Sequence, residues 1–72
     1  MTIIIAMNHL LTDREEKVME LIIEGLSNNE IANKLDVSVN TIKTHLRHVY
    51  KKLNADNRTQ ASVTYLKRSK SH

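Results

Sequence analysis

The stretch from Asn28 to Leu53, NNEIANKLDVSVNTIKTHLRHVYKKL, carries two opposed patterns at once, and few folds accommodate both. Val39, Ile42, Leu46, Val49 and Leu53 recur at steps of three, four, three and four, which is one apolar stripe of an α-helix. Roughly opposite lie Asn40, Lys43, Thr44, Arg47 and Lys51. From Val37 to Ala55 there is no Asp or Glu, while Lys43, Arg47, Lys51, Lys52, His45 and His48 all fall inside the span. The spacing predicts a short helix, a tight turn and a longer helix that is apolar on one face and basic on the other. Such a helix-turn-helix presents side chains suited to phosphates and base edges.

A chain of 72 residues is one domain near the lower limit for an unstapled core. Chains of about 60 residues bury only ~60% of the surface they expose when unfolded. There is no cysteine, hence no disulfide and no thiolate metal site, and a cytoplasmic setting fits. Pro, Phe and Trp are absent and Gly25 is the lone glycine, which suits short helices packed by Leu, Ile and Val rather than a sheet built on turn chemistry. The expected fold is all-α, a compact four-helix domain containing the helix-turn-helix. The net charge of +3 matters less than its distribution. Asp13, Glu15, Glu16, Glu20 and Glu24 crowd the first helical stretch, and the later chain is basic. That polarity suits a protein turning one face to an anionic polymer, and two tyrosines are too few for stacking on single strands.

Residues 1–9 begin with MTIIIAM, apolar but far short of the ~20 residues that span a bilayer, and without a cationic segment before it. They are read as a flexible tail or linker, residues 10–69 as the domain, and 70–72 as a tail ending the frayed basic stretch KRSKSH. Thr12-Asp13-Arg14-Glu15 is a capping box that opens the first helix, with Leu11 as a possible staple and Val18, Leu21 and Ile22 as its buried stripe. Gly25 ends it through a left-handed backbone. Ser27-Asn28-Asn29-Glu30 repeats the box before Ile31, Ala32 and Leu35, and Ala32 leaves room for a close helix crossing. Asp36-Val37 makes the turn, Ser38 caps the third helix, and Asn54 is a plausible left-handed stop. Asn57-Arg58-Thr59-Gln60 starts a fourth helix in which Ala61, Tyr65 and Leu66 face the core, while Thr59 and Val63 lie off that face.

Catalysis has no foothold in the sequence, which offers no Ser/His/Asp constellation and no phosphate loop. Glu20 and Glu24, one turn apart, read as a solvated face. His45 and His48 lack a third ligand at matching spacing, so neither a metal nor a cofactor is expected. Tyr50 reads as packing, and Lys51 and Lys52 can be explained as solvated charges.

With these residues in place, the chain resembles a LuxR/GerE-type DNA-binding domain from about Leu11 to Lys67. LTDRE opens the first helix, Gly25 closes it, NNEIANKL forms the second, SVNTIKTHLRHVYKKL the turn exit and third, and NRTQA starts the fourth. Ile42 and Ala55 stand where valine is more usual. The family consists of four-helix domains, as response-regulator effector domains, quorum-sensing receptors or stand-alone regulators. The resemblance implies that Lys43, Thr44 and Arg47 reach bases in the major groove. It implies backbone contacts from Asn29, Ser38, Asn40, Thr41, His45 and Lys51, and a dimer surface at Thr59, Val63 and Lys67. The implied partners are double-stranded DNA, a second copy through the fourth helix, and RNA polymerase; no membrane is implied. Two alternatives stay open. A sigma-factor promoter-recognition segment also uses an EIA…S…TIK pattern but ends near KKL, without the helix that NRTQA begins. A protein-interaction module would bring the basic helix to an acidic partner instead of DNA.

Overall fold

The computed structural model describes residues 11–70, with side chains as far as Arg68. The tail expected at 1–9 lies outside the described residues, as do residues 71 and 72. Four helices, and no strand among the described residues, follow in order: α1 Asp13–Ile23, α2 Asn28–Leu35, α3 Val39–Leu53 and α4 Arg58–Lys70. The expected all-α, four-helix fold is the one observed. Helix α4 runs through Lys70, so most of the basic stretch read as frayed is helical.

Each helix start is a local hydrogen-bonded device. The Glu15 amide donates to Thr12 Oγ1 at 3.1 Å and the Thr12 amide to Glu15 Oε1 at 2.9 Å, closing the first capping box. The Ser27–Glu30 box is closed in the same way, at 3.2 and 2.8 Å. At α4 the Gln60 amide donates to Asn57 Oδ1 at 2.9 Å, but the Gln60 side chain accepts from the Asp56 amide, one residue earlier than a strict box.

The helix ends share one geometry. Gly25, Asp36 and Asn54 take positive φ of 96°, 59° and 55°, the left-handed region in which glycine meets no Cβ penalty and Asp and Asn are the best substitutes. After each, the chain doubles back onto its helix. The Leu26, Val37 and Ala55 amides donate to the carbonyls of Leu21, Ala32 and Tyr50 at 3.1, 3.0 and 2.8 Å. These are Schellman closures, and their following residues Leu26, Val37 and Ala55 are the apolar ones that pack against the core.

The core is built from α1 (Val18, Met19, Leu21, Ile22), α2 (Ile31, Ala32), α3 (Ile42, Leu46, Val49, Leu53) and α4 (Ala61, Tyr65). Helix α3 packs against all three others. Val39 and Leu35 are half-buried at its margin, and Leu11 packs there too. Met19 is fully buried although the stripe read for α1 omits it. Leu66, expected to face the core, is instead 42% exposed beside Val63 at 47%. The inward face of α4 passes through Ala61 and Tyr65, and Leu66, one residue on, is rotated about 100° away from Tyr65.

Two polar ties cross this core. The Tyr65 hydroxyl donates to Glu16 Oε1 at 2.8 Å, and burial, helped by that carboxylate, pushes the phenol up to about 12. Glu15, only 3% exposed, does double duty: the oxygen that caps α1 also accepts from Lys52 Nζ of α3 at 2.8 Å. Burial opposes its ionisation, but the hydrogen bonds from Lys52 and the Thr12 amide and the charge of Lys52 outweigh burial, holding the carboxyl below its ordinary value. Lys52 is therefore a structural cation rather than a solvated charge.

Replacing Lys52 by Met keeps the apolar stem and removes the ammonium, which is expected to lower stability by about 1–3 kcal/mol. Because Glu15 is depressed in the folded state, the pair's contribution is complete above the ordinary glutamate value of 4.5 and fades as pH falls through the lower folded value. Thermal melts of the two proteins across an acid series will show their gap closing below that value. A gap constant with pH would assign the loss to packing alone.

Candidate nucleic-acid interface

The start of α3 differs from those of α1 and α2 in one respect. The Thr41 amide donates to Ser38 Oγ at 3.1 Å and the two hydroxyls lie 3.0 Å apart, so the serine cap is made as expected. The third helical position, glutamate in both earlier helices, is here Thr41, and the first turn holds no acid. A carboxylate would neutralise the partial positive charge of the helix N-terminus; a hydroxyl leaves it available to an anion.

Along α3 the buried stripe fixes the opposite face. At 100° per residue, Asn40, Lys43, Thr44, Arg47 and Lys51 fall within an arc of about 100°, and all five are exposed. Ser38 and Asn29 are exposed as well, and Thr41 is half-buried. His45 is half-buried on the flank between arc and stripe, apart from the exposed row. Thr59, Val63 and Lys67 are exposed at one-turn intervals along α4, as a separate surface.

Helix α2 approaches this row at its first turn. An open cleft of about 560 Å³ is lined by Asn28, Asn29, Glu30, Val39, Lys43 and Arg58, together with the Gly25–Ser27 segment. A second, of about 280 Å³, is lined by Asn28, Lys43, Leu46, Arg47 and Tyr50. The structure thus places Asn29 with Lys43 in one cleft and Lys43 with Arg47 in the other, and adds Asn28 and Arg58, which the sequence did not single out, and Tyr50, which it read as packing. Tyr50 packs against the core and also contributes to the cleft wall. Arg58 donates through Nη1 to Asn28 Oδ1 at 3.0 Å and through Nη2 to the Leu26 carbonyl. A trace of this was present in the sequence, since a cation in the first turn of a helix opposes the helix dipole and needs another reason to be there.

Among the described residues, no three His, Cys, Asp or Glu side chains come together in a group that could hold a metal ion. No helix among them is long and apolar enough to cross a membrane.

Residues 9–65, which include α1, α2, α3 and the first half of α4, match the GerE family, bacterial regulatory proteins of the luxR family. The HTH-type transcriptional regulator MalT of Vibrio campbellii (strain ATCC BAA-1116) is 56% identical over 54 residues, covering 75% of this chain and 6% of that protein. MalT of Yersinia pestis (strain Pestoides F) is 53% identical over 51 residues, covering 71% of this chain and likewise 6% of that protein. The chain therefore spans a small fraction of these relatives. Among solved structures, the response regulator ChrA of a heme-sensing two-component system superposes with a TM-score of 0.81 at 42% identity, over 83% of this chain and 30% of that one.

The exposed row is expected to be dispensable for folding. Lys43→Ala and Arg47→Ala should each leave stability unchanged or raise it by less than about 1 kcal/mol, whereas Ser38→Ala, which removes a cap, should cost about 1 kcal/mol. Circular dichroism melts distinguish the two classes, and unfolding of either row variant would make that residue structural.

Proposed function

Because the chain belongs to the luxR family of bacterial regulatory proteins, and is a helix-turn-helix DNA-binding regulator domain of that family, we propose that it reads duplex DNA with α3 in the major groove, as a dimer paired through α4. The observation that carries the reading is the exposed, carboxylate-free row on α3, held rigid from behind by the buried stripe.

A helix about 10–12 Å across fits a major groove about 12 Å wide. In that pose Lys43 and Arg47 donate to guanine O6 and N7, each good contact worth ~1–3 kcal/mol of discrimination, and Thr44 offers its methyl to thymine. Asn29, Ser38, Asn40, Thr41 and Lys51 surround this centre and suit phosphate and sugar contacts, which set register without reading sequence. His45 reaches the backbone from its flank. On α4, Thr59, Val63 and Lys67 form the pairing face, and Leu66 adds exposed apolar surface beside Val63. A two-fold dimer places the two reading helices on half-sites about one helical turn apart, ~34–36 Å. Such a regulator works in the cytoplasm and acts on transcription through contact with RNA polymerase.

Selection of random duplexes by the purified chain, followed by sequencing, tests the whole reading. A two-fold symmetric motif is the expected result. Enrichment of a single half-site would leave groove reading in place and overturn pairing by this chain alone. No enrichment, with salt-independent binding to a protein instead, would overturn the reading. On the selected duplex, Lys43→Ala or Arg47→Ala should abolish sequence preference, and each loss of a phosphate-neutralising charge flattens the salt slope by about 0.9.

Val63→Glu should leave binding to a single half-site unchanged and weaken cooperative binding to two. Unchanged cooperativity on a two-half-site probe would remove α4 from the interface.

A further inference from the structure

Arg58 can only donate hydrogen bonds, and this fixes the chemistry of the side chain beside it. The Asn28 atom that receives Arg58 Nη1 at 3.0 Å is its oxygen, and a guanidinium facing the amide nitrogen would have no acceptor there. The second arm of the same guanidinium is held by the Leu26 carbonyl, so the fork is anchored at both tips. Asn28, half-buried, is shared with Lys43 by the two clefts that flank the α3 row. With its oxygen committed, the group it offers to those clefts is the NH2, a donor. The carboxylate nearest on the chain, Glu30, is turned to its own cap, accepting from the Ser27 amide at 2.8 Å.

We propose that Arg58 is a positioning residue of the DNA-binding surface, which takes the Asn28 oxygen and thereby presents the Asn28 amide NH2, beside Lys43, to a backbone phosphate oxygen of the duplex. The inference rests on the DNA-binding reading of α3 and adds to it a neutral phosphate donor on α2 with its supporting residue on α4. A phosphate oxygen accepts and never donates, so an amide free to rotate would spend part of its time offering the wrong atom. Arg58 removes that freedom, its own fork being taken up by Asn28 and the Leu26 carbonyl.

The test uses the whole chain and a short mixed-sequence duplex in dilute salt. Asn28→Ala deletes the donor and should weaken binding roughly tenfold, the weight of one hydrogen bond to a charged group. A neutral donor releases no counterion, so the Asn28→Ala line of log affinity against log salt should run parallel to wild type, unlike that of Lys43→Ala. Asn28→Asp retains an acceptor for Arg58 and should keep the melting temperature. It replaces the donor by an anion, so it should weaken binding more than Asn33→Asp, which places the same charge on α2 outside both clefts. Arg58→Lys supplies a point charge rather than a fork, and its loss of affinity should not add to that of Asn28→Ala in the double variant.

Full-strength binding by Asn28→Ala overturns the proposal, as does an Asp variant no weaker than Asn33→Asp, or additive losses in the double variant. If Arg58→Lys does not fold, the three asparagine variants still decide. Failure of the wild type to bind any duplex would instead overturn the DNA-binding reading, which Lys43→Ala reports separately.

Discussion

Helix α3 has to satisfy two environments across a diameter of about 10 Å, and the rest of the chain is arranged around that requirement. Its apolar stripe is covered by residues from α1, α2 and α4 together, and no single neighbour is long enough to cover it alone. Covering it from behind leaves the opposite arc bare along the helix. The exposed basic face is thus held in place by burial of the other face. Truncating Leu46 or Ile42 would damage the surface indirectly, by leaving a cavity under it at a typical cost of about 2–5 kcal/mol. In a domain this small that is a large share of total stability.

Much of this was legible because the signals are local. A left-handed residue, an apolar residue that tucks inward, and a cap within one to three positions recur as Gly25-Leu26-Ser27, Asp36-Val37-Ser38 and Asn54-Ala55 before Asn57. Each piece acts over six residues or fewer, so the sequence order carries it directly. The stripe on α3 is periodic over four turns, and its mirror, the basic arc, follows from the same arithmetic. Helix α4 is less legible because it is only weakly amphipathic: two residues, Ala61 and Tyr65, define its inner face, and Leu66, apolar by type, is turned outward by the helix geometry.

What the sequence could not disclose is the set of contacts between distant positions. Glu15 reads as a capping residue, and it is one; nothing in its neighbourhood announces that Lys52, 37 positions later, shares the same oxygen. Arg58 likewise meets Asn28 across 30 positions. Lys52 read alone passes for a solvated charge, and Arg58 for one more residue of a helix start. They fasten the two ends of the surroundings of α3, Lys52 at its C-terminal turn against α1 and Arg58 near its N-terminal end against α2. Helix packing can slide along ridges at small cost, whereas a two-armed guanidinium or a buried carboxylate fixes position to within a hydrogen bond.

The exposed row of α3 concentrates like charge on a helix that holds no acid. Lys43, Arg47 and Lys51 stand at successive i, i+4 positions, where like charges destabilise an isolated helix by roughly 0.2–0.5 kcal/mol a pair. Alternating Glu with Lys there would have turned repulsion into support, as Lys17 and Glu20, at i, i+3 and 3.7 Å apart, do on α1. Arg47 and Lys51 have no acid on their own helix to pair with, while the chain's carboxylates are concentrated on α1. Under the proposed reading the counter-charge of this row is external, and a polyanion that binds the folded state alone returns that stability through mass action. On that reading binding and folding are coupled through the same three side chains, whose mutual repulsion is strongest in dilute salt, where it is least screened.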